Sequence, residues 1–184
     1  YKRQSYGYMD RNNNIWLCRK HSILLCNTEN AQILQFTNIL HSNITAIEQV
    51  DDHHFFISTE TGVRYLKLEN GTLKIIPTET LDYFHVQVNE LYYHQASKRL
   101  LIGSFERGLF VYDMNNREII KPEVDLSDVS ITCMAPLDES QLLISTEGMG
   151  VYKININTCQ MEQYIVANYQ SYNAVSYTHL TLPT

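Results

Sequence analysis

The sequence predicts an all-β protein built from repeats, and three observations carry that prediction. Its 184 residues include 13 Tyr and 6 Phe among many Ile, Leu and Val, a composition that favours strands. Four apolar triplets recur along the chain: Ile15-Trp16-Leu17, Phe55-Phe56-Ile57, Leu100-Leu101-Ile102 and Leu142-Leu143-Ile144. No heptad is found, and no capping box leads into a long run with apolar residues three and four apart.

Each triplet is followed by one small residue, Cys18, Ser58, Gly103 or Ser145, and these positions are 40, 45 and 42 residues apart. After a short polar segment comes a second apolar stretch: Ser22-Ile23-Leu24-Leu25, Gly62-Val63-Arg64-Tyr65-Leu66, Gly108-Leu109-Phe110-Val111-Tyr112 and Gly150-Val151-Tyr152-Lys153-Ile154. Upstream of the triplets lie Ile44-Thr45-Ala46-Ile47, Val88-Asn89-Glu90-Leu91 and Ile131-Thr132-Cys133-Met134. Downstream, Leu73-Lys74-Ile75-Ile76, Glu118-Ile119-Ile120 and Met161-Glu162-Gln163-Tyr164 follow turn-forming pairs such as Asn70-Gly71. Four short strands in about 40 to 45 residues is the unit of a β-propeller blade.

The fold expected is therefore a β-propeller of about four four-stranded blades, with a partial propeller over 1–174 and blades at roughly 1–40, 41–84, 85–127 and 128–170. Closed rings have about 4 to 8 blades, and both ends fall mid-repeat, so an incomplete ring with open terminal blades is expected. The chain opens on Tyr-Lys-Arg-Gln-Ser without Met and is expected to begin inside something longer.

Composition narrows the function classes. With 44% hydrophobic and 18% charged residues, 7 Gly and 4 Pro, disorder and collagen-like repetition are excluded. A net charge of -6 offers no basic field for a nucleic-acid backbone, so no nucleic-acid partner is expected. Apolar runs such as Ile23-Leu24-Leu25-Cys26 are far below the roughly 20 residues that span a bilayer.

The repeats resemble the two-component regulator propeller repeat: an acidic turn, an apolar strand ending in small-Thr, then Gly-aliphatic-aromatic and a polar turn. Met9-Asp10-Arg11-Asn12-Asn13-Asn14-Ile15-Trp16-Leu17 matches the first half. Ser58-Thr59-Glu60-Thr61-Gly62-Val63-Arg64-Tyr65, Gly103-Ser104-Phe105-Glu106-Arg107-Gly108-Leu109-Phe110-Val111-Tyr112-Asp113 and Ser145-Thr146-Glu147-Gly148-Met149-Gly150-Val151-Tyr152 match the second. The first unit departs from the pattern, with Arg19 in place of the hydroxyl and Ser22 in place of Gly.

The resemblance implies the periplasmic, ligand-sensing region of an inner-membrane hybrid two-component sensor histidine kinase. Its ligand would be a small carbohydrate, and it would signal by ligand-induced rearrangement to the remaining blades and downstream domains of the same protein, with a homodimer as a possible arrangement. The family's phosphoacceptor box places Pro five residues after its His, whereas Pro183 stands four after His179, so no catalytic residue is assigned in this chain. No cofactor is expected. The alternatives are a propeller scaffold for protein partners and a polysaccharide-active propeller enzyme.

Loops between second and third strands emerge on one face of a propeller, beside the connections between blades. They carry the ligand-binding candidates Arg19, Lys20, His21, Glu60, Phe105, Glu106, Arg107, Glu147 and Met149, a mixture of charge and aromatic surface able to bond and stack on a sugar. Asp10, Asn12 and Asn14 mimic the opening of a calcium loop but lack its Gly and distal Glu, so a hairpin turn is expected there. Asp51-Asp52-His53-His54 is read the same way, and no metal site is assigned. Cys18 is expected in the core, facing Ile23. With Cys133 on a first strand and Cys159 on a fourth, four free thiols are expected, which sits awkwardly with an oxidising compartment. Residues 175–184 resemble a translated sequencing-adaptor tail and are read as non-native, the alternative being a strand of a further blade.

Overall fold

A computed structural model describes residues 6–37 and 39–166, so the expectations for His179 and for 175–184 lie outside the described residues. Four antiparallel sheets follow one another, each a four-stranded meander. The first blade holds β1 (Tyr6–Met9), β2 (Asn14–Cys18), β3 (Ser22–Asn27) and β4 (Ile33–Thr37). The second holds β5 (Ile44–Gln49), β6 (His54–Thr59), β7 (Gly62–Glu69) and β8 (Thr72–Ile76), and a single helical turn, α1 (Glu79–Asp82), follows it. The third is β9 (Val88–His94), β10 (Arg99–Ser104), β11 (Leu109–Asp113) and β12 (Glu118–Ile120); the fourth is β13 (Ile131–Pro136), β14 (Gln141–Thr146), β15 (Gly150–Asn155) and β16 (Met161–Ile165). All four triplets lie on second strands, as the repeat spacing predicts.

Strand alternation explains why the repeat is a triplet. Its first and third residues point to one face of the blade and its middle residue to the other. Phe55 and Ile57 pack with Trp16 between the first two blades, whereas Phe56 packs with Tyr93, Leu100 and Ile102 between the second and third. Leu101 in turn joins Leu142 and Ile144 between the third and fourth. The outer two residues of a triplet therefore face the preceding blade and the middle residue the following one, and three apolar residues in a row fill two interfaces.

The small residue after each triplet is set by what lies against it. A Cβ on Gly103 would stand 2.7 Å from Ile131 Cγ2 of the next blade's innermost strand. Ser58 and Ser145 use their hydroxyls instead, pairing with Thr45 Oγ1 at 2.9 Å and Thr132 Oγ1 at 2.8 Å. Cys18 is buried opposite Ile23, and Cys26 opposite Ile15, so the two thiols are out of register as expected. All four cysteines are free. Cys159 is corrected in one respect: it sits in the turn before β16, at φ 59°, because Asn155 caps a loop that delays the strand to Met161.

The acidic turns are hairpins. Asp10 Oδ1 accepts the backbone N–H groups of Asn12 and Asn14 at 2.9 Å each, and Oδ2 accepts Trp16 Nε1–H at 2.9 Å. Asp51 Oδ1 accepts the N–H groups of His53 and His54, and Asp138 Oδ1 those of Ser140 and Gln141. A carboxylate filled by amide donors in this way has little capacity left for a cation.

Candidate functional site

The loops between second and third strands are shaped by the hydroxyl that follows the small residue. Ser104 Oγ–H donates to Gly108 O at 2.7 Å, and Thr146 Oγ1–H donates to Gly150 O at 2.7 Å, closing each hairpin tip at its base. Thr59 makes the same bond to Gly62 O at 3.4 Å. Arg19 offers no such hydroxyl, and backbone bonds join the two sides of its tip, Arg19 N–H donating to Ser22 O at 2.8 Å.

Glycine opens the third strand because the tip lies against the connection between blades. At Gly108, φ is 73° and a Cβ would stand 2.5 Å from Leu126 O; at Gly62, φ is 137° and a Cβ would stand 2.2 Å from Phe84 O. Both carbonyls belong to connecting segments, which no side chain at these positions could approach so closely.

In the third blade this arrangement fixes the tip on both sides. Phe105 N–H donates to Gln87 O at 2.9 Å, Glu106 N–H to Ser130 Oγ at 3.3 Å and Gly108 N–H to Val129 O at 3.0 Å. With its backbone held, the tip presents its three side chains outward, Phe105 being 40% exposed. Phe105, Glu106 and Arg107 together with His85, Val86, Gln87 and Asp128 line a cleft of about 680 Å³. Its lining combines one aromatic face, a guanidinium, an imidazole and two carboxylates, able to stack on an apolar ring face while donating and accepting hydrogen bonds around its rim.

Of the nine candidates, three line this cleft. Arg19, Lys20 and His21 are exposed at the tip of the first blade and lie outside it. So do Glu60, whose Oε1 accepts Asn43 Nδ2–H at 3.1 Å, and Glu147, whose N–H donates to Ser130 O at 2.9 Å. Met149 is exposed and offers its carbonyl to Gln163 Nε2–H at 2.9 Å. His85, Val86, Gln87 and Asp128 belong to the connections between blades. The one sequence signal for them is their position just before a first strand.

Among the described residues no group of three or more His, Cys, Asp or Glu is placed to hold a metal ion, and no helix is long and apolar enough to cross a membrane.

No protein-family profile matches the chain, and no curated protein matches its sequence. Solved structures do. Over 91% of its length the chain is similar to 23% of the extracellular domain named as that of the hybrid two component system BT4673 of B. thetaiotaomicron, with TM-score 0.67 and 18% identity. It is similar to 22% of the corresponding BT3049 domain of the same organism, over 89% of its own length, with TM-score 0.63 and 16% identity. A third likeness, TM-score 0.60 at 14% identity over 81% of the chain, is to half of the β-propeller domain of Myceliophteria thermophila Cps50 (Swd1), 50% of that chain being covered. At these identities the likeness is one of fold, and that fold is a β-propeller. The chain spans less than a quarter of the two extracellular domains.

Proposed function

We propose that this chain is a ligand-sensing propeller segment of a two-component regulator anchored in the inner membrane, with the propeller on the periplasmic side. One observation carries the reading: the hairpin motifs that resemble the two-component regulator repeat fold as four blades, and these align over about nine-tenths of the chain with extracellular domains of two hybrid two component systems. No reaction is assigned to the segment. Signalling and any catalysis belong to other domains of the same polypeptide.

The finer reading is that the ligand is a small carbohydrate, received on the face that carries the loops between second and third strands. The cleft at Phe105, Glu106 and Arg107 is its centre, and Arg19, Lys20, His21, Glu60, Glu147 and Met149 form the rest of that loop face. An exposed aromatic ring beside alternating donors and acceptors suits a sugar, which offers an apolar ring face and a rim of hydroxyls. The mechanism is differential binding: a ligand shifts the receptor only as far as it prefers one arrangement of propeller and downstream dimer over the other.

Calorimetric titration of the complete ectodomain with glycan fragments tests this. Binding that weakens at least tenfold in Phe105→Ala and Arg107→Ala is expected. Absence of binding across a broad panel would favour the scaffold reading, and new reducing ends or unsaturated products would favour an enzyme. Completing the reading frame from genomic DNA tests the wider proposal. A membrane helix and a kinase core should follow, and a stop codon soon after a ring-closing blade would sink it.

A further inference from the structure

The loop tips of the third and fourth blades have the same length. Ser104 and Gly108 close Phe105, Glu106 and Arg107, as Thr146 and Gly150 close Glu147, Gly148 and Met149. The middle residue of each tip has a left-handed backbone, with φ 53° at Glu106 and φ 86° at Gly148. Glycine suits that position because a Cβ is strained there. Among the described tips between second and third strands, Glu106 is the one residue other than glycine with a positive φ. It cannot relax without breaking the bonds by which Phe105, Glu106 and Gly108 N–H hold the connectors on either side. Its carboxylate returns nothing to the fold: the residue is exposed, and among the described residues its side chain makes no hydrogen bond or ion pair. The side chains of His85, Arg107 and Asp128, which line the same cleft, are equally unpaired among the described residues, whereas Lys67, Arg99 and Lys153 each meet a carboxylate.

We infer that Glu106 is the specificity-determining residue of the cleft, its carboxylate accepting hydrogen bonds from ligand hydroxyls while the tip holds it in a backbone conformation that costs the fold stability. The role rests on the reading of the loop face as a carbohydrate site. Strain kept at a residue that contributes no contact to the fold marks a functional constraint. Two oxygens on one carboxylate suit two neighbouring hydroxyls of a sugar ring, and Phe105 beside it offers a surface for the ring's apolar face. A tip fixed at both flanks also fixes where that carboxylate stands. A sugar whose hydroxyls point elsewhere then leaves polar groups unpaired in the complex, and unpaired groups are what separate close analogues.

Glu106→Gly tests this by two measurements that should move in opposite directions. In urea denaturation of the 184-residue chain its folding constant should rise severalfold, the released strain outweighing the freedom that glycine adds to the unfolded chain. In calorimetric titration of the complete ectodomain with a panel of glycan fragments, the fragment that wild type binds best should lose at least tenfold in affinity, and the differences within the panel should narrow. Glu106→Gln, which keeps the backbone and an acceptor oxygen, should retain more affinity than Glu106→Gly. A less stable Glu106→Gly would overturn the inference, as would an equal loss for every fragment with their order kept. Unchanged affinity and order in that variant would overturn it while leaving the carbohydrate reading standing. Silence of wild type across the panel would overturn that reading and, with it, the role of Glu106.

Discussion

Asp10 is almost fully buried, yet its charge is met entirely by hydrogen donors of its own blade, from Asn12 and Asn14 in the turn to Trp16 in the core. Asp10→Ala leaves a buried indole N–H and two turn amides without acceptors and is expected to cost about 2–4 kcal/mol. Urea denaturation followed by the emission of Trp16, the single tryptophan, measures this directly. Two glycines make a sharper residue-scale contrast. Gly71 has φ 67° and nothing near the place of a Cβ, so Gly71→Ala should cost about 1–2 kcal/mol, the ordinary strain of a left-handed residue. Gly62 has φ 137° with a backbone carbonyl 2.2 Å from that place, and Gly62→Ala should cost more than about 3 kcal/mol because a main-chain atom cannot rotate aside. Both glycines stand out in the sequence as turn residues. That Gly62 touches Phe84 does not, because the contact joins a repeat to a connector that has no repeat of its own.

Elements are joined across blades by a few side chains that leave their own turns. Arg99 of β10 donates through Nη1 to Ile156 O at 2.7 Å and Asn157 O at 2.5 Å in the fourth blade, while its Nε–H donates to Asp113 Oδ2 at 3.1 Å. Asp113 also caps the turn after β11 by accepting Asn115 and Asn116 N–H, the service that Asn27 and Asn155 perform in the first and fourth blades. Asp113→Asn should therefore keep the turn and lose the charge that orients Arg99, at a cost of about 1–3 kcal/mol in chemical denaturation at pH 7. Burial alone would raise the Asp113 carboxyl, but hydrogen bonds from Asn116, Arg99 and Asn115 outweigh it and hold the group below its ordinary value. A depressed carboxylate stabilises above its unfolded value and loses that stability as the pH falls through its folded one, so wild type and Asp113→Asn should converge in strong acid. A constant gap down to about pH 2 would show that the ion pair is not its source. At this scale the strands of the second to fourth blades were legible, since each lies in a short run that recurs at the matching position of successive repeats. The strands β1 and β4 were not, because Tyr6–Met9 and Ile33–Thr37 show no such run, nor was the four-residue α1, too short to leave a helical period. The cleft was half legible: its loop tip repeats, and its connectors do not.

For the molecule as a whole, the alternation within triplets makes equivalent residues energetically unequal. Ile57 and Leu17 hold the same third position, facing the preceding blade; Ile57 is 0% exposed against the first blade, whereas Leu17 is 46% exposed, with Ile15 and Met9 also exposed. Their cross-strand partners extend the same surface, since Met9, Ile15, Cys26 and Ile33 form one row across the sheet. In the 184-residue chain, Ile57→Ala should cost about 2–5 kcal/mol, the loss of a fully buried branched side chain plus its cavity, and Leu17→Ala less than about 1 kcal/mol. Repeating the pair in the complete ectodomain turns the contrast into a test of architecture. A further blade seated on this face would raise the cost of Leu17→Ala to that of Ile57→Ala, because the same triplet geometry would then bury it. A cost for Leu17→Ala that stays below about 1 kcal/mol in both contexts would mean that no blade packs there, and the sensing reading would then have to be built on a propeller closed in some other way.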